Sequence, residues 1–210
     1  MKIDVHEIRM PYRFRYGHAR HQHRDLAAIV CVATDEQGAV GLGEAVPRTY
    51  VTGETCESIR KDIPRLVNMI EPDSGLTASR RRRIELAQDW QGPFPSCALC
   101  ALDTALVDLN ARRNQRSVAE FLGGKCPQAL TYTASIGVSG RVQATALVAL
   151  YRMLGLKHFK VKVGDESDLE RVRFVRRMVG PHASIFVDAN GMWDSETAIR
   201  KIETFAKFDV

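Results

Sequence analysis

Phe159-Lys160-Val161-Lys162-Val163-Gly164, followed after a charged segment by Ser184-Ile185-Phe186-Val187-Asp188-Ala189-Asn190-Gly191, is the stretch whose reading decides the fold. Both pieces have the length and the β-branched or aromatic content of strands. Between them Leu169, Val172, Val175 and Val179 recur at helical spacing, so the whole reads as one strand–helix–strand unit. Residues two apart on a strand share a face, which puts Lys160 and Lys162 on the same side, roughly 6.6 Å apart along the backbone. Phe159, Val161 and Val163 take the other side. Two geometries fit this pattern. In an open sheet with one wet face it is ordinary apolar-in, lysine-out alternation. In a closed parallel barrel the apolar side packs on outer helices and the lysines face the interior, where two cations are costly. Asp188, at the C-terminal end of the next strand, is where such barrels carry their chemistry, and it favours the second geometry.

The surrounding sequence repeats this alternation. Residues 130–137 read as a strand and 141–154 as an amphipathic helix with Leu147, Tyr151 and Leu154 on one face. After the lysine unit, Ile199, Ile202 and Phe205 mark a further helix, and a fourth strand is expected to begin at Phe208-Asp209-Val210. A regular β, α, β, α order argues for a parallel sheet. Before residue 126 the grammar differs. Ile3, Val5 and Ile8 begin a first strand, residues 26–33 form a buried second one, and a turn at Asp35-Glu36-Gln37-Gly38 leads into a third, giving a small antiparallel meander. Residues 11–24 read as a long loop carrying His18, His21 and His23. With no acidic or thiol partner nearby, these fit a ligand-touching loop better than a metal site. Thr55 caps a helix running to about Ile70, and a second helix carries Arg80 to Arg83, whose charges are balanced by Glu85 and Asp89. In a third helix Ala98, Ala101, Leu102, Ala105, Leu106 and Leu109 form one stripe, and its alanines imply close approach of a neighbour. A short helix near Val118 stops at Gly123-Gly124, so the domain boundary is expected there: 1–125 and 126–210.

Composition excludes several classes. At 210 residues and 45% hydrophobic content the chain can form one large or two modest domains with real cores. The 30 basic residues are interspersed with 25 acidic ones, a mild excess that gives little support for a nucleic-acid partner. No apolar run approaches the roughly 18 residues of a membrane span. The opening Met1-Lys2-Ile3-Asp4 is charged where a signal peptide turns apolar, so a cytoplasmic location without membrane contact is expected. The five cysteines are scattered, and Cys97-Ala98-Leu99-Cys100 lies within the apolar helical pattern, which favours small core residues over a redox motif.

Several motifs in order carry a family resemblance: Gly-Leu-Gly-Glu-Ala-Val-Pro at 41–47, Val-Thr-Gly-Glu-Thr at 51–55, the alanine-rich helix, Phe-Leu-Gly-Gly at 121–124, Lys-Val-Lys at 160–162 and Val-Asp-Ala-Asn-Gly at 187–191. The chain resembles the N-terminal part of an enolase-superfamily enzyme of the muconate lactonizing subgroup, most closely the dipeptide epimerases. The resemblance implies an α+β capping domain followed by the first three βα units of a (β/α) barrel, which this chain leaves incomplete. It also implies Mg²⁺, a small carboxylate substrate such as a dipeptide, abstraction of the proton next to that carboxylate through an enediolate, and a homo-oligomer when the barrel is complete.

Carried over residue by residue, the resemblance makes Lys162 the general base. Lys160 is its neighbour, whose charge disfavours a second ammonium, and Asp188 is a metal ligand supported by Asn190. It assigns substrate contacts to Arg24, Val51, Thr52 and Thr133. Two further carboxylates and the second acid/base of such enzymes are absent from the 210 residues, so the chain alone is expected to be inactive. The segment 108–115 also lacks the glycine-lysine pair common in relatives. Cycloisomerases and a succinylbenzoate-forming dehydratase share the lysine pair and are the alternative reactions. A truncated, non-catalytic interaction module is the alternative of another class.

Overall fold

The computed structural model describes residues 1–18, 21–69, 88–137 and 140–210, with side chains 13–24 outside the description. The helix expected around Arg80 to Arg83 therefore lies outside the described residues. The chain divides into two compact units, 1–13 with 24–128 and 14–23 with 129–210.

β1 (Lys2–His18), β2 (His21–Thr34) and β3 (Val40–Ala45), which belong to the first unit except for 14–23, form a sheet in that order. Antiparallel pairing of β2 with β3 runs from Ile29↔Ala45 to Thr34↔Val40. The turn expected at Asp35 to Gly38 joins them. Asp35 Oδ1 accepts the N–H groups of Gln37 and Ala39 at 2.9 and 2.8 Å, and Gly38 supplies the positive φ of 85°. Residues 11–18 and 21–24 correct the sequence reading: their backbone is extended strand rather than loop.

Then come α1 (Thr49–Thr52), α2 (Cys56–Met69), α3 (Ser96–Arg113) and α4 (Val118–Phe121). Thr55 caps α2 as expected, its Oγ1 accepting the Ser58 N–H at 3.1 Å. The start of α3 is capped from a distance. Glu54 is 7% exposed, and its carboxylate accepts the N–H groups of Cys97 (2.8 Å) and Ala98 (3.2 Å), placing a negative charge at the positive end of the helix.

All six residues of the expected α3 stripe are buried. Their alanines serve β3, whose glycines lie against the helix backbone. A Cβ on Gly43 would collide with the Ala101 carbonyl, and one on Gly41 with Ala105 O and Leu109 N. Asp108 fastens this contact by accepting the Leu42 N–H at 2.9 Å. The cysteine reading is corrected in one respect: Cys97 is half-buried against the core, but Cys100 is exposed.

The second unit contains a parallel sheet ordered β4 (Thr133–Ile136), β5 (His158–Lys162), β6 (Ser184–Asp188). Its helices are α5 (Arg141–Met153), α6 (Asp168–Val179) and α7 (Ser195–Ala206). Phe159, Val161, Val163 and Ile185 pack with Val148, Val172, Val175 and Phe205 in one core, so the helices cover the face opposite the lysines. These three strand–helix units, which follow the α+β unit in the chain, make an incomplete (β/α) barrel.

Both expected helices at the edges of this unit form, with departures in what they bury and in the segment after them. On α5 the expected Leu147 and Tyr151 pack against the core beside the buried Ala144 and Val148, while Leu154 lies past the helix end and is 67% exposed. On α7 only Phe205 is buried, and Ile199 and Ile202 are 61% and 60% exposed with no described element over them. Residues 207–209 form a turn rather than a strand, held by Arg176, which donates to the Phe208 and Asp209 carbonyls at 2.8 and 2.6 Å.

Two substitutions test the backbone account with opposite signs. Gly43→Ala should destabilise the first unit by about 1–3 kcal/mol, because the helix backbone cannot yield to a methyl group. Gln115 holds φ at 54° just after α3, within the segment lacking the glycine-lysine pair, and Gln115→Gly should stabilise by about 1 kcal/mol. Urea denaturation midpoints of the two variants check both.

Candidate active site

The parallel register brings the polar end of the second sheet together. Ser135 pairs with Lys160, Lys160 with Phe186, and Lys162 with Asp188, so these side chains share one face. Both lysines end on one oxygen: Lys160 Nζ and Lys162 Nζ each lie 2.7 Å from Asp188 Oδ2. Lys162 also donates to Asn190 Oδ1 at 2.8 Å. Its side chain is 11% exposed, against 36% for Lys160.

Asn190 lies beyond the end of the strand. β6 ends at Asp188, and Asn190 sits in the following turn with φ of 49°, its N–H donating to Asp188 Oδ1 at 2.9 Å. The left-handed turn swings its amide back over the strand end, where it meets Lys162. Asparagine is one of the few non-glycine residues that tolerates this conformation.

Asp188 is held ionised. Burial alone would raise its pKa, but hydrogen bonds from Lys160, Lys162 and the Asn190 N–H outweigh burial and hold it well below the usual carboxylate range. The two cations that appeared costly from the sequence are thus partly neutralised by a charge between them.

Of the other expected site residues, Thr133 belongs to the second unit and Val51 and Thr52 to the first. Thr133 pairs with His158 at the start of β5, about 13 Å along the strand from the level of Lys162. Ser135, which sequence reasoning passed over, stands beside Lys160 in the register. Only the hydrogen-bond register distinguishes it from Thr133, because both hydroxyls fall on the same face by alternation. Val51 and Thr52 belong to the first unit. Val51 is 69% exposed, and the Thr52 hydroxyl is 3.5 Å from Cys97 Sγ and accepts the Glu54 N–H at 3.3 Å. The Arg24 side chain lies outside the described residues.

Mg²⁺ makes a definite demand on this donor set. Asp188 is a hard oxygen donor of the right type, but Mg²⁺ needs octahedral oxygen coordination. No group of three or more His, Cys, Asp or Glu side chains able to hold a metal occurs among the described residues. Asp188 Oδ2 already carries two ammonium groups. These residues do not by themselves form a magnesium site. Among the described residues no helix is long and apolar enough to cross a membrane.

A pH dependence follows from Asp188. Its folded pKa is depressed, so the stability it contributes is present above the unfolded value near 4 and is lost as pH falls toward the folded value. Urea midpoints measured between pH 7 and pH 2.5 should decline below about pH 4. Asp188→Asn should start less stable at pH 7 and decline less.

Comparison with known proteins bears on the fold and the family. The N-terminal domain model of mandelate racemase / muconate lactonizing enzyme matches residues 4–123, and the enolase C-terminal domain-like model matches residues 143–210. The chain is 31% identical over 187 residues to a hydrophobic dipeptide epimerase of Enterococcus faecalis, covering 88% of this chain and 51% of that protein. It is 32% identical over 179 residues to a chloromuconate cycloisomerase of Pseudomonas sp. strain P51, covering 81% of this chain and 47% of that one. The crystal structure of the Enterococcus faecalis V583 dipeptide epimerase, complexed with Mg and L-Leu-L-Tyr, superposes with a TM-score of 0.84 at 24% identity, over 99% of this chain and 58% of that one. The chain thus spans about half the length of these relatives. With both domain models matched in order and the same fold throughout, the chain belongs to the mandelate racemase / muconate lactonizing enzyme family of the enolase superfamily.

Proposed function

We propose that this chain carries one half of the proton-transfer site of an epimerase or racemase that acts at the carbon next to a carboxylate, with a dipeptide as the substrate class. The observation that carries this reading is the convergence of Lys160 and Lys162 on Asp188 at the C-terminal end of a parallel sheet. That end is where (β/α) barrels hold their chemistry.

Lys162 serves as the base in its neutral amine form, reached when the ammonium that pairs with Asp188 gives its proton to solvent. Its amine is the more buried of the two, and Asp188 and Asn190 fix its position, so it meets the substrate α-proton from one defined side. As the proton leaves, negative charge grows on the substrate carboxylate. The Lys160 ammonium, on the same face one residue pair away, places a positive charge near that developing enediolate. Returning the proton to the opposite face inverts the carbon, and the described residues offer no second base for that step. Asp188 is proposed as one carboxylate of a magnesium site only together with carboxylates from sequence outside these 210 residues. Ser135 and Thr133 stand on the same face as candidate hydroxyl contacts.

A cycloisomerase reaction is the second reading, favoured by the 32% identity to the chloromuconate enzyme. A lysine placed in this way can serve either chemistry, because both pass through a stabilised carbanion next to a carboxylate.

Dipeptides such as L-Ala-L-Glu should be incubated in D₂O with Mg²⁺ and either this chain or any longer product of the same gene. The longer product should place deuterium on the α-carbon, and Lys162→Met should slow that exchange by about 10²–10⁴-fold. The 210-residue chain alone should show none. Lactone formation from muconates without exchange into dipeptides would select the second reading, and neither reaction from the longer product would reject both.

A further inference from the structure

The strand that ends at Lys162 is gripped by four charged side chains that the proposed chemistry does not use. Asp168 is fully buried, and its Oδ1 accepts the N–H groups of Gly164 (2.8 Å) and Asp165 (3.1 Å). Its two counter-charges come from different helices: Arg171 Nη1 at 3.1 Å from α6 and Lys201 Nζ at 2.9 Å from α7. Arg171, 12% exposed, also binds Asp165 Oδ2 at 2.7 Å through Nη2. Its Nη1 donates to the carbonyl oxygen of Lys162 itself at 3.3 Å. Lys201 in turn donates to the Asp165 carbonyl at 3.3 Å.

Stability is a weak reason to bury such a set, because apolar side chains of similar volume often serve as well or better. What the set specifies is geometry. A guanidinium presents its donors in a fixed planar fork, and here the fork spans the strand end, the following loop and the helix start at once. The loop is shaped to receive it: Gly164 takes φ of 135° and a Cβ there would press on Met192, in the segment that follows Asp188 and Asn190. The two strand–helix units that carry Lys162 and Asp188 are therefore joined behind the site, by Lys201 and by the Gly164–Met192 contact, as well as in front of it.

We propose that Arg171 and Asp168 are positioning residues for Lys162: they fix the end of β5 so that the lysine amine meets Asp188 and Asn190 rather than sweeping freely on its four-carbon stem. This rests on the proposed function only in taking Lys162 as the group that moves the proton.

The test is made on the 210-residue chain with ¹³C-labelled lysine, reading the order parameter of each ε-methylene by NMR relaxation, which needs no activity. In the wild type Lys162 should be far more ordered than exposed Lys61. Arg171→Lys keeps a cation for the two aspartates, but a single ammonium cannot also hold the strand carbonyl. It should raise the disorder of the Lys162 ε-methylene about twofold while Lys61 is unchanged. Asp165→Asn, a milder change that loosens the fork's aim, should give a smaller rise in the same direction, and it decides the matter if Arg171→Lys does not fold. Val148→Ala in the same core is the control for general loosening, and it should leave Lys162 ordered. An unchanged Lys162 in the folded variants, or an equal loss of order in Val148→Ala, would overturn the proposal. Whether Lys162 is the base is decided separately by deuterium exchange, so the two ideas fail independently.

Discussion

One carboxylate oxygen, Asp188 Oδ2, receives both lysines of β5 at 2.7 Å, and the second unit is organised to make that contact. Two ammonium groups on one strand face repel each other and resist burial. They are tolerated because β6 pairs in parallel with β5 in the one register that sets Asp188 opposite Lys162. A slip of one residue would turn Asp188 to the helix side and expose Val187, costing both the ion pairs and the core. The polar site and the apolar core therefore enforce the same alignment, one from each face.

The first unit solves a different problem by different means. Its meander must lie against a helix closely enough to exclude side chains, and the paired glycines of β3 with the alanines of α3 allow that approach. Glu54 then satisfies the first N–H groups of α3 from outside the helix. The Val-Thr-Gly-Glu-Thr motif thus has a plain structural use at Glu54 and in the Thr52 contacts, alongside the substrate role that resemblance assigned to Val51 and Thr52.

Much of this was legible in the sequence where a local rule decides the outcome. Alternation placed both lysines on one face, the helical stripe from Ala98 to Leu109 named six of the nine buried residues of α3, and Asp35 to Gly38 carried its own turn chemistry. What could not be read depended on partners distant in the chain. The residue level with Lys160 is Ser135 rather than Thr133, because register is set by pairing across strands and both residues have the same parity. Ile199 and Ile202 carry a helical apolar pattern that only a neighbouring element could bury. Asn190 reaches Lys162 through a left-handed turn that strand periodicity would not place there. The grip of Arg171 on the Lys162 carbonyl runs from a helix back to the strand before it, a contact that neither helical nor strand periodicity marks.

The most direct test of the shared-carboxylate geometry is a double-mutant cycle on Lys162→Met and Asp188→Asn, read as urea stability at neutral pH. A half-buried, hydrogen-bonded pair should give a coupling energy of about 1–3 kcal/mol, well above that of the exposed Glu57–Lys61 pair measured in parallel. A coupling indistinguishable from that of the exposed pair would mean that Lys162 does not meet Asp188 in solution, and the site described here would not exist.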